Sequence, residues 1–196
     1  MDYKKVSYKR LAESNQRKSD INFSWLSAAE KGIVFLLENG DELLVRRMDA
    51  NDVEEVLEIE RATFPAAWSS AGFFYRLHDR QFNVSLVAFV GDRLVAYAVS
   101  YAFSKEFHFS NVAVRRNFRR RKFGEVLLWM SLHIGVELGC TEAHLEVRRN
   151  NISAIRLYEK FGFKIYGVRK NYYQQENEDA FLMRKEIGWE LPYGMV

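Results

Sequence analysis

A mixed α/β sheet with helices on both faces is the fold class that this 196-residue sequence predicts, and three runs of residues carry the prediction. The first half is rich in strand-forming segments. The middle is a strand, a basic turn and an apolar helix in direct succession. A strand, a helix and two further strands then follow closely, so the elements alternate as they do in an α/β domain.

Taken in order, residues from Met1 to about Ser27 are polar and poorly periodic. Ile33 to Leu37 and Leu43 to Val45 read as two strands joined across the Asn39-Gly40 turn. Asp49 or Asn51 can cap a helix whose apolar positions Val53, Val56, Leu57 and Ile59 share one face and which ends near Phe64-Pro65. Ser69 or Ser70 can cap a short second helix through Phe73, Phe74 and Leu77. Val84 to Val90 and Leu94 to Tyr101 form a hairpin across Gly91-Asp92, and Glu106 to Val114 is a third strand. Beyond the basic turn, Val126, Leu127, Leu128, Leu132, Val136 and Leu138 recur at helical period up to the stop signal Gly139. Ala143 to Arg148 alternates, placing Leu145 and Val147 on one face and His144, Glu146 and Arg148 on the other. Asn150-Asn151 opens a helix carrying Ile155, Leu157, Tyr158 and Phe161 that Gly162 stops. Phe163 to Tyr173 and Ala180 to Arg184 complete the set as two strands around a polar loop.

Composition narrows the class of partner. With 48% apolar residues the chain can bury a substantial core. The net charge of +3 is mild, yet Arg115, Arg116, Arg119, Arg120, Arg121 and Lys122 concentrate positive charge in one place, and Lys4, Lys5, Lys9, Arg10, Arg17 and Lys18 form a second cluster. Cys140 is the single cysteine, so no internal disulfide forms, and His78, His108, His133 and His144 lack metal-ligand spacing. No apolar run reaches membrane-spanning length and no signal-peptide core is present, so a cytoplasmic location is expected.

The most specific stretch runs from Asn111 to Gly124. A strand enters a basic turn that opens a helix, and a helix start offers unpartnered backbone N–H groups and the positive end of the macrodipole. The expected ligand is phosphorylated. An arginine run on its own also suits a solvated face or a nucleic-acid contact.

Asn111-Val112-Ala113-Val114, the arginine-rich turn to Gly124, Leu145-Glu146-Val147-Arg148, Asn151, Leu157 to Phe163, Asn171-Tyr172-Tyr173 and Glu178-Asp179-Ala180 occur in one order. In that order they resemble the GNAT acetyltransferases, and among them the RimI type that acetylates the N-terminal alanine of a small-subunit ribosomal protein. The resemblance spans about Leu44 to Lys185. It implies a GNAT domain over residues 44–186, with an N-terminal extension over 1–43 that is partly disordered or a short hairpin, and a tail over 187–196. It further implies a mostly antiparallel mixed sheet in which the strands ending at Val114 and Arg148 splay apart around acetyl-CoA, used as co-substrate without a metal.

By the same resemblance, the main chain of Val112, Ala113 and Val114 lines the pantetheine and polarises the thioester carbonyl. Arg119, Arg120, Arg121, Lys122, Phe123, Gly124 and Glu125 wrap the pyrophosphate, and Asn151 also contacts the coenzyme. Glu146 is the matched general base, Tyr158 the matched general acid, and Tyr172 and Tyr173 match the paired tyrosines that hold an acceptor peptide. One departure stands out, because Lys122 replaces the first glycine of the pyrophosphate turn. An ordinary helical φ is expected there, with the lysine ammonium available to a phosphate.

The acceptor is expected to be a protein N-terminus, with a ribosomal protein as the leading candidate. A broader N-terminal or small-amine acetyltransferase is an alternative within the fold, and a non-catalytic ribosome- or RNA-binding module is an alternative outside it. Phe64-Pro65-Ala66-Ala67-Trp68-Ser69, two residues longer than the usual family segment, is expected to shape the acceptor groove.

Overall fold

A computed structural model of the chain describes residues 4–7 and 24–188. The expectation of partial disorder near the start falls mostly on residues outside this range, as do Lys9, Arg10, Arg17 and Lys18 of the second basic cluster and most of the C-terminal tail. Among the described residues nine strands form one sheet: β1 (Lys4–Ser7), β2 (Ile33–Leu36), β3 (Glu42–Arg47), β4 (Asn83–Val90), β5 (Arg93–Phe103), β6 (Glu106–Val114), β7 (Glu142–Arg148), β8 (Lys164–Tyr173) and β9 (Glu178–Glu186). Their order is β1-β2-β3-β4-β5-β6-β7-β9-β8. The β1–β2 and β6–β7 pairs are parallel, and the other neighbours are antiparallel.

Five helices among the described residues cover the two faces: α1 (Trp25–Lys31), α2 (Val53–Thr63), α3 (Ser70–His78), α4 (Phe123–Glu137) and α5 (Ile152–Lys160). Val53, Val56, Leu57 and Ile59 of α2 and Phe73 of α3 pack with Val87, Tyr97, Val99 and Ala113 on one face. On the other, α1, α4 and α5 enclose the larger core around Trp129, Phe107 and Phe109. The predicted stripe on α4 is in fact apolar burial all round, for every residue from Val126 to Val136 is buried. The helix lies between the sheet and α1. Gly135 permits this approach, since a Cβ there would come within 2.9 Å of the Phe107 ring.

The polar segment before Ser27 contains the start of α1, which periodicity alone does not reveal. Its N-cap, Ser24, accepts from the Ser27 N–H, and the N–H groups of Trp25 and Leu26 donate to the Glu137 carboxylate of α4 at 2.6 and 2.9 Å. A partner more than a hundred residues away therefore completes the helix start that local sequence leaves open. Next to it, β2 and β3 form the expected hairpin around Gly40, and the boundary placed after residue 43 lies inside β3.

Candidate active site

The site originates where two strands part. β6 and β7 pair only from Glu106↔Glu142 to Phe109↔Leu145, after which the register ends. A β-bulge lies beside the parting: Val99 faces Asn111 while Ser100 faces Phe109, leaving Ser110 as the extra residue. The bulge inverts the side-chain alternation of β6. Phe107 and Phe109 enter the α4 core before it, whereas Ala113 enters the α2 core after it. From Asn111 to Val114, one edge of β6 pairs with β5 and the other faces the opening.

A cleft of about 620 Å³ fills the opening, with Val112, Glu146, Asn151, Tyr158, Tyr172 and Tyr173 among its lining residues. Glu146 reaches it from the α2 side of the sheet, because Leu145 and Val147 point into the α4 core. Tyr158 reaches it from α5, on the α4 side, with its ring edge-on to Phe163 at 5.8 Å. The parted strands thus connect two faces that an unbroken sheet would separate, and a candidate base and acid approach one space from either side. Burial raises the Tyr158 hydroxyl above the ordinary phenol range, with Tyr173 adding to the effect. The hydroxyl therefore stays protonated at neutral pH.

Across the cleft, Arg169 lies 3.5 Å from Glu146 and 5.0 Å over the Tyr172 ring. Tyr172 and Tyr173 meet edge to face at 5.0 Å, and Arg148 stacks 3.8 Å over Tyr173. Burial pushes the Tyr173 hydroxyl up to about 12. An irregularity in β8 produces the tyrosine arrangement: between Arg169↔Ala180 and Tyr173↔Glu178 the register slips, and Asn171 takes φ +49°. Asp179 pins the slip by accepting the Asn171 N–H at 3.0 Å and the Lys170 ammonium at 2.9 Å. These two bonds hold its carboxyl below the usual range.

Asn151 is the N-cap of α5, its Oδ1 accepting from the Ala154 N–H at 3.2 Å. The turn residues Arg119 to Glu125 do not line the cleft; they lie beyond the end of β6, where α4 begins. No side chain caps α4, in contrast to α3 and α5, so its first N–H groups are available to an anion. Phe123 is buried and Glu125 bonds Lys160 at 2.8 Å, which leaves main chain as what these two present to a phosphate. Arg119 donates to the Val114 carbonyl at 3.0 Å. Arg121 forms a two-pronged pair with Asp41, and among the described residues no carboxylate pairs with Arg116 or Arg120.

Lys122 corrects the expectation of a helical φ. It sits in the left-handed region at φ +65°, as does Arg120 at +66°, and its ammonium pairs with Glu38 at 3.2 Å instead of standing free for a phosphate. The reason is geometric. Residues alternating into the left-handed region turn successive N–H groups toward one point and make an anion nest. The turn takes that shape without a glycine at this position, and the Arg121–Asp41 and Lys122–Glu38 pairs tie it to the β2–β3 turn.

One residue escaped the sequence reading altogether. Glu60 of α2 is fully buried in the cleft wall and gathers hydrogen bonds from the Trp68 N–H at 2.9 Å, the Tyr97 hydroxyl and the Asn111 amide at 3.1 Å. A glutamate amid the apolar positions of α2, beside Ile59, was the available signal.

Comparison with known proteins agrees with this geometry. The sequence model of the acetyltransferase (GNAT) family matches residues 53–163. A ribosomal protein bS18-alanine N-acetyltransferase of Salmonella typhimurium is 34% identical over 142 residues, covering 71% of this chain and 95% of the relative. An N-alpha-acetyltransferase of Saccharolobus solfataricus is 31% identical over 176 residues, covering 83% and 99%. The crystal structure of the ribosomal-protein-S18-alanine N-acetyltransferase from Escherichia coli superposes with a TM-score of 0.69 at 26% identity, covering 74% of this chain and 94% of that one. Parted strands, an uncapped helix beside them and a family match over more than half of the sequence lead to one assignment: the chain belongs to the GNAT family of acetyltransferases and is an acetyl-CoA-dependent N-acetyltransferase.

Proposed function

We propose that the chain moves the acetyl group of acetyl-CoA to the N-terminal amine of a protein, with the N-terminal alanine of ribosomal protein bS18 as the acceptor. The observation that carries the reading is the end of β6–β7 pairing after Phe109 and Leu145, which brings Glu146 and Tyr158 to one cleft from opposite faces.

The chemistry follows from that placement. The acceptor ammonium has a pKa near ~8, so a carboxylate suffices to remove its proton. Glu146 takes that proton, directly or through water, and the neutral amine attacks the thioester carbonyl. The open edge of β6 around Val112 faces the oxygen as it gains charge. Collapse of the tetrahedral intermediate breaks the carbon–sulfur bond, Tyr158 protonates the departing thiolate, and the excess proton of the new amide nitrogen passes to solvent, from which the Tyr158 hydroxyl is restored. The diphosphate docks on the nest from Arg119 to Glu125, beside the α4 start, with Asn151 at the edge of the cleft. Tyr172 and Tyr173 flank the acceptor main chain opposite the Phe64–Trp68 segment. The names of the relatives, bS18-alanine and N-alpha acetyltransferases, support a protein N-terminus over a small amine.

The experiment incubates the protein with acetyl-CoA and peptides that begin with Ala, Ser, Met or Gly, and reads the product by mass. Acetylation of the α-amine of the bS18-derived alanine peptide is expected. Turnover of polyamines with no peptide product would overturn the reading.

A further inference from the structure

The cleft wall contains a carboxylate that the transfer chemistry does not use. Glu60 is fully buried, and among the described residues no cation pairs with it. Three donors from three separate elements converge on its two oxygens. The Trp68 N–H, in the loop after α2, reaches Oε1 at 2.9 Å. The Asn111 amide, next to the β6 bulge, lies 3.1 Å from Oε1 and 3.3 Å from Oε2. The Tyr97 hydroxyl of β5 donates to Oε2.

We propose that Glu60 is a positioning residue that clamps the acceptor wall to the thioester strand, fixing the width of the acceptor slot. The proposal rests on the acceptor reading given above. One end of the clamp is Trp68, whose ring packs against Phe73 at 5.4 Å and under Arg76 at 5.4 Å and which lines the cleft with Phe64 and Ala66. The other end is Asn111, which faces Glu60 only because the bulge at Ser110 inverts the alternation of β6. The bulge that opens the thioester edge therefore also delivers the side chain that the clamp needs.

A carboxylate suits this node for a definite reason. Ionised, it only accepts, and every group aimed at it donates. Burial raises its pKa while the three hydrogen bonds oppose that rise, so the bonds are what keep a buried carboxylate tolerable without a counter-ion. Glutamine in its place keeps one oxygen for Trp68 but puts an amide donor where Oε2 stood, which reverses the Tyr97 hydrogen bond and removes the second half of the Asn111 contact. Exchanging the polarity of both partners, Glu60→Gln with Asn111→Asp, restores a match: the oxygen of the introduced glutamine accepts from Trp68 while its amide donates to the new carboxylate.

Two measurements test the clamp. Amide hydrogen exchange over residues 64–69 needs no acceptor, and Glu60→Gln is expected to speed it about tenfold, with the double variant returning it to within about threefold of wild type. In steady-state kinetics, Glu60→Gln is expected to raise the acceptor-peptide KM about tenfold while the acetyl-CoA dissociation constant stays within about twofold, and the double variant recovers the KM. Unchanged exchange in Glu60→Gln, an acetyl-CoA constant that worsens in step with the acceptor KM, or a double variant no better than the single one would each overturn the clamp. If wild type acetylates no peptide, the acceptor reading fails on its own, and the exchange comparison still decides whether Glu60 holds the wall.

Discussion

Lys122 shows what one residue can impose on a turn. A left-handed φ costs a non-glycine residue roughly 1–2 kcal/mol, while a part-exposed pair such as Lys122–Glu38 returns about 0–1 kcal/mol. Lys122→Gly is therefore expected to leave the protein as stable or more so, by up to about 1 kcal/mol in urea denaturation. Acetyl-CoA affinity should hold within about twofold, because the ammonium is engaged by Glu38. A large loss of affinity in calorimetry would show that the lysine turns to the phosphate when the coenzyme binds. At the reacting centre, Glu146→Gln and Tyr158→Phe are each expected to lower kcat by about ten- to a thousandfold, the usual weight of a positioned proton-transfer group, with the circular dichroism spectrum unchanged. Full turnover at neutral pH in either variant removes that residue from the mechanism. That both line one cleft was in part legible from sequence, since strand alternation puts Glu146 opposite an aliphatic pair. Their approach from opposite faces was not, because it depends on where two strands distant in sequence stop pairing.

Among the elements, β8 and β6 both work through irregularity. The slip in β8 is held by Asp179, which lies eight residues from Asn171 along the chain but directly across the strand pair. Asp179→Ala is expected to release the slip and let Tyr172 swing, raising the acceptor KM severalfold while the acetyl-CoA KM stays in place. Equal effects on both constants would mean that the turn serves the whole site instead. Strand existence here was legible from composition and period, whereas neither irregularity was. A bulge is one residue of extra length relative to a partner, and the Ser110 bulge is defined only by its pairing with β5. Likewise α1 depends on Glu137 for its first N–H groups, so a window of local sequence around Trp25 holds only half of its signal.

For the molecule as a whole, the α4 face carries a titratable group inside its core. His133 is buried, with Nδ1 donating to the Trp129 carbonyl at 2.8 Å and its ring 4.0 Å from that of Trp129. Burial, with a lesser contribution from the charge of Lys185, lowers its pKa to about 4. The unfolded chain, with an ordinary histidine near ~6.5, therefore takes up a proton that the folded chain refuses across the interval between these values. The histidine's contribution is complete above about pH 6.5 and declines as the pH falls toward 4, by on the order of 2–3 kcal/mol. Urea midpoints measured through this range should fall more steeply for wild type than for His133→Gln. Parallel slopes would show that His133 is not the group responsible.

The sequence by itself determined the class of fold, the order of most elements and the identity of the chemistry-bearing motif, because hydrophobic period, turn residues and capping residues are local properties of the chain. Tertiary structure alone decided that the β6–β7 gap joins the two faces, that Lys122 adopts a glycine-like backbone, and that Glu60 collects three donors in the cleft wall. Each of these is fixed by partners far apart in the chain: β5 and β7 for the gap, Asp41 and Glu38 for the turn, and Trp68, Tyr97 and Asn111 for the buried carboxylate. Pairing register and the satisfaction of buried polar groups are properties of the folded assembly, and no stretch of sequence contains them before its partners have met.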